Sequence, residues 1–213
     1  MAKITINTSM EKPEMISKFS QNIISDAADA SKNPTIVINS GQRSPLRQAM
    51  AMYDNLAKNS HISYAAPGRE VVAVYNINKD KSKDTVLGLM ILKINELYEK
   101  GKRVSLHCVP DEEYNKLNII DINKNMPNPR DFAIALLKNP SVKRIITPFS
   151  PTASSIYPKV DVDSKRISVD ANEPAIHIEI KQQPTSTSAP AAVKEHEHTC
   201  PHCGKPIKIT LTV

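Results

Sequence analysis

The sequence predicts an α+β fold in which a mixed, largely antiparallel sheet packs against about three helices. Two observations support this class. Segments with apolar residues at helical spacing are interspersed with short runs rich in β-branched residues, and 16 prolines indicate rigid, loop-rich connections. We expect one domain over residues 1–181, a flexible linker rich in Pro, Ser, Thr and Ala over 182–195, and a small metal-binding tail over 196–213.

The helices are predicted from apolar periodicity and from end signals. Residues 11–32 carry apolar side chains three and four positions apart until "KNP" ends the pattern. Ser44 and Pro45 are typical of a helix start, and this helix should reach about Lys58. "KDTVLGLMILKINELYEKGKR" is a long helix closed by Gly101, and "NPRDFAIALLKNP" is another helix that starts with proline.

The strands are predicted from β-branched content and alternation, in the segments "PTIVINS", "EVVAVYNI" (70–77), "RVSLHCV", "LNIIDIN", "VKRIITP" and "IHIEI". His107 falls near the end of the third segment and Asp121 near the end of the fourth. We expect these two strands to be neighbours joined by the polar loop "PDEEYNK". His177 begins the last strand.

Bulk composition narrows the classes of function. A net charge of +6 favours binding to an anionic partner, which could be nucleic acid, anionic lipid or anionic cell-wall polymer. The charge alone does not choose among these partners. The three cysteines cannot build a disulfide framework. No run approaches the roughly 18 apolar residues of a membrane span, and the first fifteen residues lack a secretory segment, so we expect synthesis in a cytoplasm without the usual export.

The stretch "NEPAIHIEI" sets a carboxylate four positions before an imidazole at the start of an alternating strand. Hydrolytic zinc sites take three ligands from His, Asp and Glu and leave a position for water. We predict Zn²⁺ bound by His107, Asp121 and His177, with Glu173 as the general base. The alternative for each histidine taken alone is a packed structural side chain.

The stretch "VINSGQRSPLRQ" resembles the signature "SGxRSxxxQ" of the zinc D-alanyl-D-alanine carboxypeptidases and L-alanyl-D-glutamate endopeptidases, and "SLH", "IIDI" and "EPAIHIEI" follow in the family's order. The resemblance spans roughly residues 10–181. It implies the zinc ligands and general base named above. It also implies substrate-binding roles for Arg43, Gln48 and Ser105, with Arg43 beside the reacting peptide; the alternative for Arg43 is a turn residue that caps a neighbouring helix.

The chain departs from this family at two points. Thirteen residues without a glycine separate His107 from Asp121, where the family has six with one, and Glu173 precedes His177 by four positions instead of three. The stretch "AAPGREVVAVYN" offers a competing alignment for the first motif, but its histidine and aspartate are missing. The ligands are therefore placed at His107 and Asp121.

The resemblance implies hydrolysis of D-amino-acid-containing peptide bonds, with the peptidoglycan peptide stem as substrate. The simplest setting is a phage-borne cell-wall peptidase, either an endolysin or a virion component, acting in the virion or at the host cell wall. The alternative is a non-enzymatic virion or assembly protein with an altered site and a docking tail. A basic nucleic-acid-binding zinc protein is disfavoured, because the tail has no aromatic residue to stack on a base.

The tail carries a second candidate metal set within eight residues, namely His196, His198, Cys200, His202 and Cys203. A C-x-x-C loop supplies half of a small zinc site. A virion protein or a second copy of the chain is expected to complete it, and a free, unstructured tail is the alternative.

Overall fold

The computed structural model describes residues 1–60, 62–150 and 165–183 in full, together with the backbone of 194–199 and 206–211. The chain forms two compact units, Met1–Gln182 and Gln183–Val213. Among the residues that the structure describes, no helix combines the length and the hydrophobicity that a membrane span requires.

A six-stranded mixed sheet forms the centre of the first unit, which confirms the predicted α+β class. Its strand order is β1-β2-β3-β6-β4-β5. The pairs β1–β2 and β4–β5 are parallel, and the three central pairs are antiparallel. The strands are β1 Lys3–Ile6, β2 Thr35–Ser40, β3 Leu117–Ile122, β4 Val142–Thr147, β5 Ile167–Val169 and β6 Ile176–Lys181.

The described residues contain six α-helices, more than the predicted three: α1 Lys18–Ala30, α2 Pro45–Ala57, α3 Ala66–Asn78, α4 Lys83–Glu99, α5 Asp111–Tyr114 and α6 Pro129–Leu137. The helix α3 replaces the strand predicted at 70–77, so that prediction is wrong. Val71 is fully buried in a core shared with α2 and α4, and Val74 and Tyr75 pack against the same core. Packing at helical spacing therefore overrides the β-branched content of this segment.

The strand predicted at "RVSLHCV" is also wrong, because these residues form a turn. Two local hydrogen bonds shape this turn: the backbone N–H of His107 donates to Ser105 Oγ at 3.2 Å, and that of Cys108 donates to the Ser105 carbonyl at 3.1 Å. The backbone N–H of Arg43 donates to the His107 carbonyl at 2.8 Å, which pins the turn to the connection between β2 and α2. His107 and Asp121 thus do not end neighbouring strands.

The central sheet has two different faces. Ile120 and Ile122 of β3 and Ile176 and Ile178 of β6 enter a large core with α1 and α6. Side chains alternate along a strand, so the residues between them lie on the opposite face. That face carries Asp121 and His177. Helices α2, α3 and α4, which follow β2 in the chain, form a separate core.

The described residues of the second unit form two antiparallel strands, β7 Lys194–Thr199 and β8 Pro206–Leu211, in which Thr199 pairs with Pro206. His196 and His198 lie in β7, where only the backbone is described. Cys200, His202 and Cys203 lie outside the described residues, as do residues 184–193 of the predicted linker. The metal set of the tail therefore stays a prediction.

Candidate metal centre

Three side chains that are distant in sequence converge on the face of the sheet opposite the main core. Asp121 of β3 pairs in register with His177 of β6, and His177 Nδ1 lies 2.9 Å from Asp121 Oδ1. His107 Nε2 approaches the same oxygen at 3.2 Å. The three ligand atoms all lie within 4.8 Å of one another, so His107, Asp121 and His177 could hold a metal ion.

The orientation of His107 is fixed by the backbone of the turn before α2. Its Nδ1 lies 2.8 Å from the carbonyl oxygen of Gly41, which can only accept a hydrogen bond. Nδ1 therefore carries a proton, and Nε2 is the nitrogen that faces the cluster. Gly41 leaves little room at this turn, because a Cβ there would lie 3.1 Å from Tyr114 Oη and 3.2 Å from Met10 Sδ, and these side chains would have to move by a few tenths of an ångström.

Arg43 closes the cluster from the side of β2. Its Nε and Nη2 donate to Ser40 Oγ at 3.0 and 2.7 Å, and Nη2 lies 3.3 Å from Asp121 Oδ2. Asp121 therefore uses one carboxylate oxygen for the imidazoles and the other for the guanidinium. The alternative of a helix-capping arginine is not favoured by these contacts, because the guanidinium of Arg43 bonds to Ser40 and Asp121.

The charges of the cluster are strongly coupled. Burial opposes ionisation of Asp121, but the attraction of His107 and hydrogen bonds from His107 and His177 outweigh it and hold the pKa of this carboxyl well below its usual range. Burial also opposes protonation of His177, yet its hydrogen bond to Asp121 and the nearby carboxylates raise the pKa of this imidazole. The cluster thus combines a fixed anion with a readily protonated base.

Glu173 lies in the turn that leads from β5 into β6. Its backbone N–H donates to the Asp170 carbonyl at 3.0 Å, and Lys124 Nζ donates to the Glu173 carbonyl at 3.2 Å. Glu173 precedes the first residue of β6, so the alternation of side chains along that strand does not determine where its carboxylate points. A spacing of four residues between Glu173 and His177 is therefore compatible with the site. Burial, and next the charge of Asp121, raise the pKa of its carboxyl.

One cleft of about 560 Å³ contains the three candidate ligands, Glu173 and the predicted substrate residues Arg43, Gln48 and Ser105. Gln48 is 5% exposed, and its Oε1 has no hydrogen-bond partner among the described residues. Ser105 Oγ already accepts one hydrogen bond, from the backbone N–H of His107. The lining also includes residues from α2 and from the segment before α3, namely Met52, Asn55, Ile62 and Tyr64.

Sequence reasoning missed Ser40 and Gly41, which hold Arg43 and His107 in place. Both stand in the stretch "SGQR", which the signature "SGxRSxxxQ" includes without assigning a role to either residue. Comparison with protein-family models, with curated proteins and with solved structures gives no match.

Proposed function

We propose that this chain is a zinc-dependent peptidase that cleaves D-amino-acid-containing peptide bonds of bacterial peptidoglycan. The observation that carries the proposal is the convergence of two imidazoles and one carboxylate in a cleft that also contains Glu173. The stretch "SGQRSPLRQ" adds support, because its resemblance to the carboxypeptidase and endopeptidase signature is compatible with the position of Arg43 and Gln48 in the same cleft.

The donor set fits zinc. Ligand atoms about 2.05 Å from a tetrahedral ion lie roughly 3.3 Å apart. The two separations measured to Asp121 Oδ1, 3.2 Å from His107 Nε2 and 2.9 Å from His177 Nδ1, are close to that value. Two nitrogens and one oxygen are also the ligand types of hydrolytic zinc sites, which leave a further position for water. When bound, zinc supplies Lewis-acid polarisation of a carbonyl and acidifies water.

The residues of the chain would contribute in distinct ways. Glu173, whose pKa is raised by burial and by Asp121, is suited to take a proton from water and return it to the leaving amine. The Gly41 carbonyl and Arg43 hold His107 and Asp121 in position. The Oε1 of Gln48, which has no hydrogen-bond partner in the described part of the chain, is suited to accept a hydrogen bond from a substrate amide N–H.

Zinc content tests the proposal first. The full chain carrying Cys200→Ser and Cys203→Ser removes both thiolates of the tail, so that zinc bound through them is not counted. Elemental analysis should then find one zinc per chain, and His107→Ala or His177→Ala in this background should remove it. Asp170→Asn, a carboxylate of the same cleft outside the ligand set, is the matched control and should keep it. Zinc-free protein in the reference background would contradict the mechanism.

Activity is tested on purified peptidoglycan stem peptides. The zinc-loaded reference protein should cleave them, and the same protein dialysed against a chelator should not until zinc is restored. In this proposal the protein acts at the host cell wall as a phage-borne endolysin or virion component.

A non-enzymatic phage virion or assembly protein is the second candidate. The observation that favours it is that Asp121 has partners within the chain on both carboxylate oxygens, namely the two imidazoles and Arg43. Such a network is stable as a purely structural element. Normal folding without zinc and without cleavage of stem peptides would support this second candidate.

A further inference from the structure

A second hollow borders the metal cleft at Arg43. Arg43, Ala51 and Asp54 line both spaces, so the two are contiguous along one side of α2. We call the second space the α2 hollow; it has a volume of about 270 Å³ and is lined by Ser9–Glu11, residues 39–43 and Arg47, Met50, Ala51 and Asp54. It adjoins the cleft on the β2 side of the metal centre.

The strand order shows how a bound peptide would run across the sheet. Along β2-β3-β6-β4-β5, Arg43 follows β2, Asp121 lies on β3, His177 on β6 and Asp170 directly after β5. Four strand spacings of about 4.8 Å amount to roughly 19 Å, the length of about six residues of extended peptide. The metal centre lies between the two ends, so a bound peptide would extend to both sides of the scissile bond.

The two ends carry different charges. At the β5 end, Asp170 and Glu173 line the cleft. The α2 hollow contains Arg43 and Arg47 together with Glu11 and Asp54. Asp54 is paired with Lys83 at 3.2 Å, whereas Glu11 accepts a hydrogen bond from the Ser44 backbone N–H at 2.8 Å, which orients its carboxylate and leaves its charge in the hollow.

Arg47 is the cation of the hollow whose side chain bonds to a neutral group. Its Nη2 donates to the Ser9 carbonyl at 2.9 Å, which fixes the guanidinium at the wall without neutralising it. Arg43, in contrast, is paired with Asp121. A planar guanidinium with remaining donors is suited to bind a carboxylate through two parallel hydrogen bonds.

We propose that the α2 hollow is a substrate subsite for a carboxylate group and that Arg47 determines this specificity. The inference rests on the proposed peptidase function and adds to it the charge and the direction of the substrate. The peptide would place an acidic group at the α2 hollow, on the β2 side of the metal centre, and its more basic part towards Asp170. Arg47 occupies a variable position of the signature "SGxRSxxxQ", so the resemblance does not supply this role.

The experiment compares a peptidoglycan stem peptide with versions in which each carboxylate is replaced, one at a time, by a carboxamide. Binding is measured by fluorescence anisotropy in a chelator, where turnover is prevented, to the unmodified chain, to Arg47→Ala and to Arg130→Ala. Arg130 is an exposed arginine at the start of α6, a helix that packs on the opposite face of the sheet, and serves as the matched control.

We expect one carboxamide replacement to weaken binding to the unmodified chain and to Arg130→Ala by roughly 10- to 100-fold, the range for a lost charge-assisted hydrogen bond. Arg47→Ala should bind that peptide and the parent peptide equally weakly. Discrimination retained in Arg47→Ala, indifference of the unmodified chain to every replacement, or no binding of the parent peptide would each overturn the inference. Carboxylate-selective binding through Arg47 without zinc or cleavage would instead overturn the peptidase proposal alone.

Discussion

At the scale of single residues, the site depends on groups that do not themselves contact a metal. His107 presents Nε2 because its other nitrogen bonds the Gly41 carbonyl, and Asp121 keeps its orientation because Arg43 holds its second oxygen. Such supporting contacts commonly change metal affinity by about 10- to 100-fold when removed. The turn "SGQR" is therefore as much a part of the centre as its three candidate ligands.

Glu173→Gln separates the proposed proton transfer from metal binding. The amide keeps the shape of the side chain but cannot accept a proton, so hydrolysis of stem peptides should fall by roughly 100-fold or more. Zinc content should stay at one per chain, because Glu173 lies outside the ligand set. Steady-state kinetics with parallel elemental analysis checks both expectations, and unchanged turnover would show that another group transfers the proton.

The candidate ligands could be named from sequence, whereas their surroundings could not. Residue types and motif order suggested His107, Asp121 and His177, and the structure brings these three together. The sequence carries no signal for a hydrogen bond between a backbone carbonyl and a histidine 66 positions away. It also misplaced His107 on a strand, because an apolar run does not reveal whether its backbone groups bond to a sheet or within a turn.

At the scale of elements, the start of α2 and the end of α4 were predicted correctly, whereas the helix predicted over 11–32 begins only at Lys18 and two segments were given the wrong type. The capping hydroxyl of Ser44 and the positive φ of Gly101 lie where sequence placed them. The segment at 70–77 was mistaken for a strand because its valines favour strands locally, whereas contact with α2 and α4 determines its helical state. Local rules define the ends of an element, but the partner against which it packs decides its type.

Two glycines of the α4 region should respond oppositely to alanine. Gly88 lies exposed in the middle of α4 with open space where the alanine methyl group would lie, so Gly88→Ala should stabilise the protein by about 0.5–1 kcal/mol. Gly101 ends the helix at φ +73°, and Gly101→Ala should destabilise it by about 1 kcal/mol. Urea unfolding of both variants checks the pair, and a shift of the same sign in both would contradict this account.

The contact between α5 and the segment that follows α4 should make stability depend on pH. Arg103 Nη2 lies 2.6 Å from Glu113 Oε1, and this hydrogen bond lowers the pKa of Glu113. Stability from a lowered carboxyl pKa is present above the unfolded value of about 4.3 and is lost as pH falls through the folded value. Glu113→Gln should therefore be less stable than the parent at pH 7, and the difference should shrink below about pH 4. A difference independent of pH, in thermal melts across this range, would exclude the ionic origin.

At the scale of the whole molecule, the first unit ends at Gln182 and not at the last residue of β6. The side chain of Gln182 donates to Ser20 Oγ at 2.9 Å, and its backbone N–H donates to the Lys116 carbonyl at 3.0 Å. It also accepts a hydrogen bond from Ser17 Oγ. These hydrogen bonds connect the C-terminus of β6 to the start of α1.

Two truncations that differ by two residues test this boundary. A chain ending at Gln183 should keep the melting temperature of the first unit and the zinc proposed for it, because every contact described above is retained. A chain ending at Lys181 loses the bonds of Gln182 and should be less stable by at least about 1 kcal/mol, or several degrees in melting temperature. Equal melting temperatures for the two truncations, measured by circular dichroism, would place the boundary earlier.

The pairing of β3 with β6 has a consequence for the time at which the centre can form during synthesis. Asp121 and His177 are separated by 56 positions, and β6 is the last strand of the sheet to leave the ribosome. A nascent chain that has emerged only as far as β4 or β5 carries two of the three candidate ligands and lacks the β6 partner of Asp121. Activity that depends on this centre is therefore withheld until translation has passed the end of the first unit.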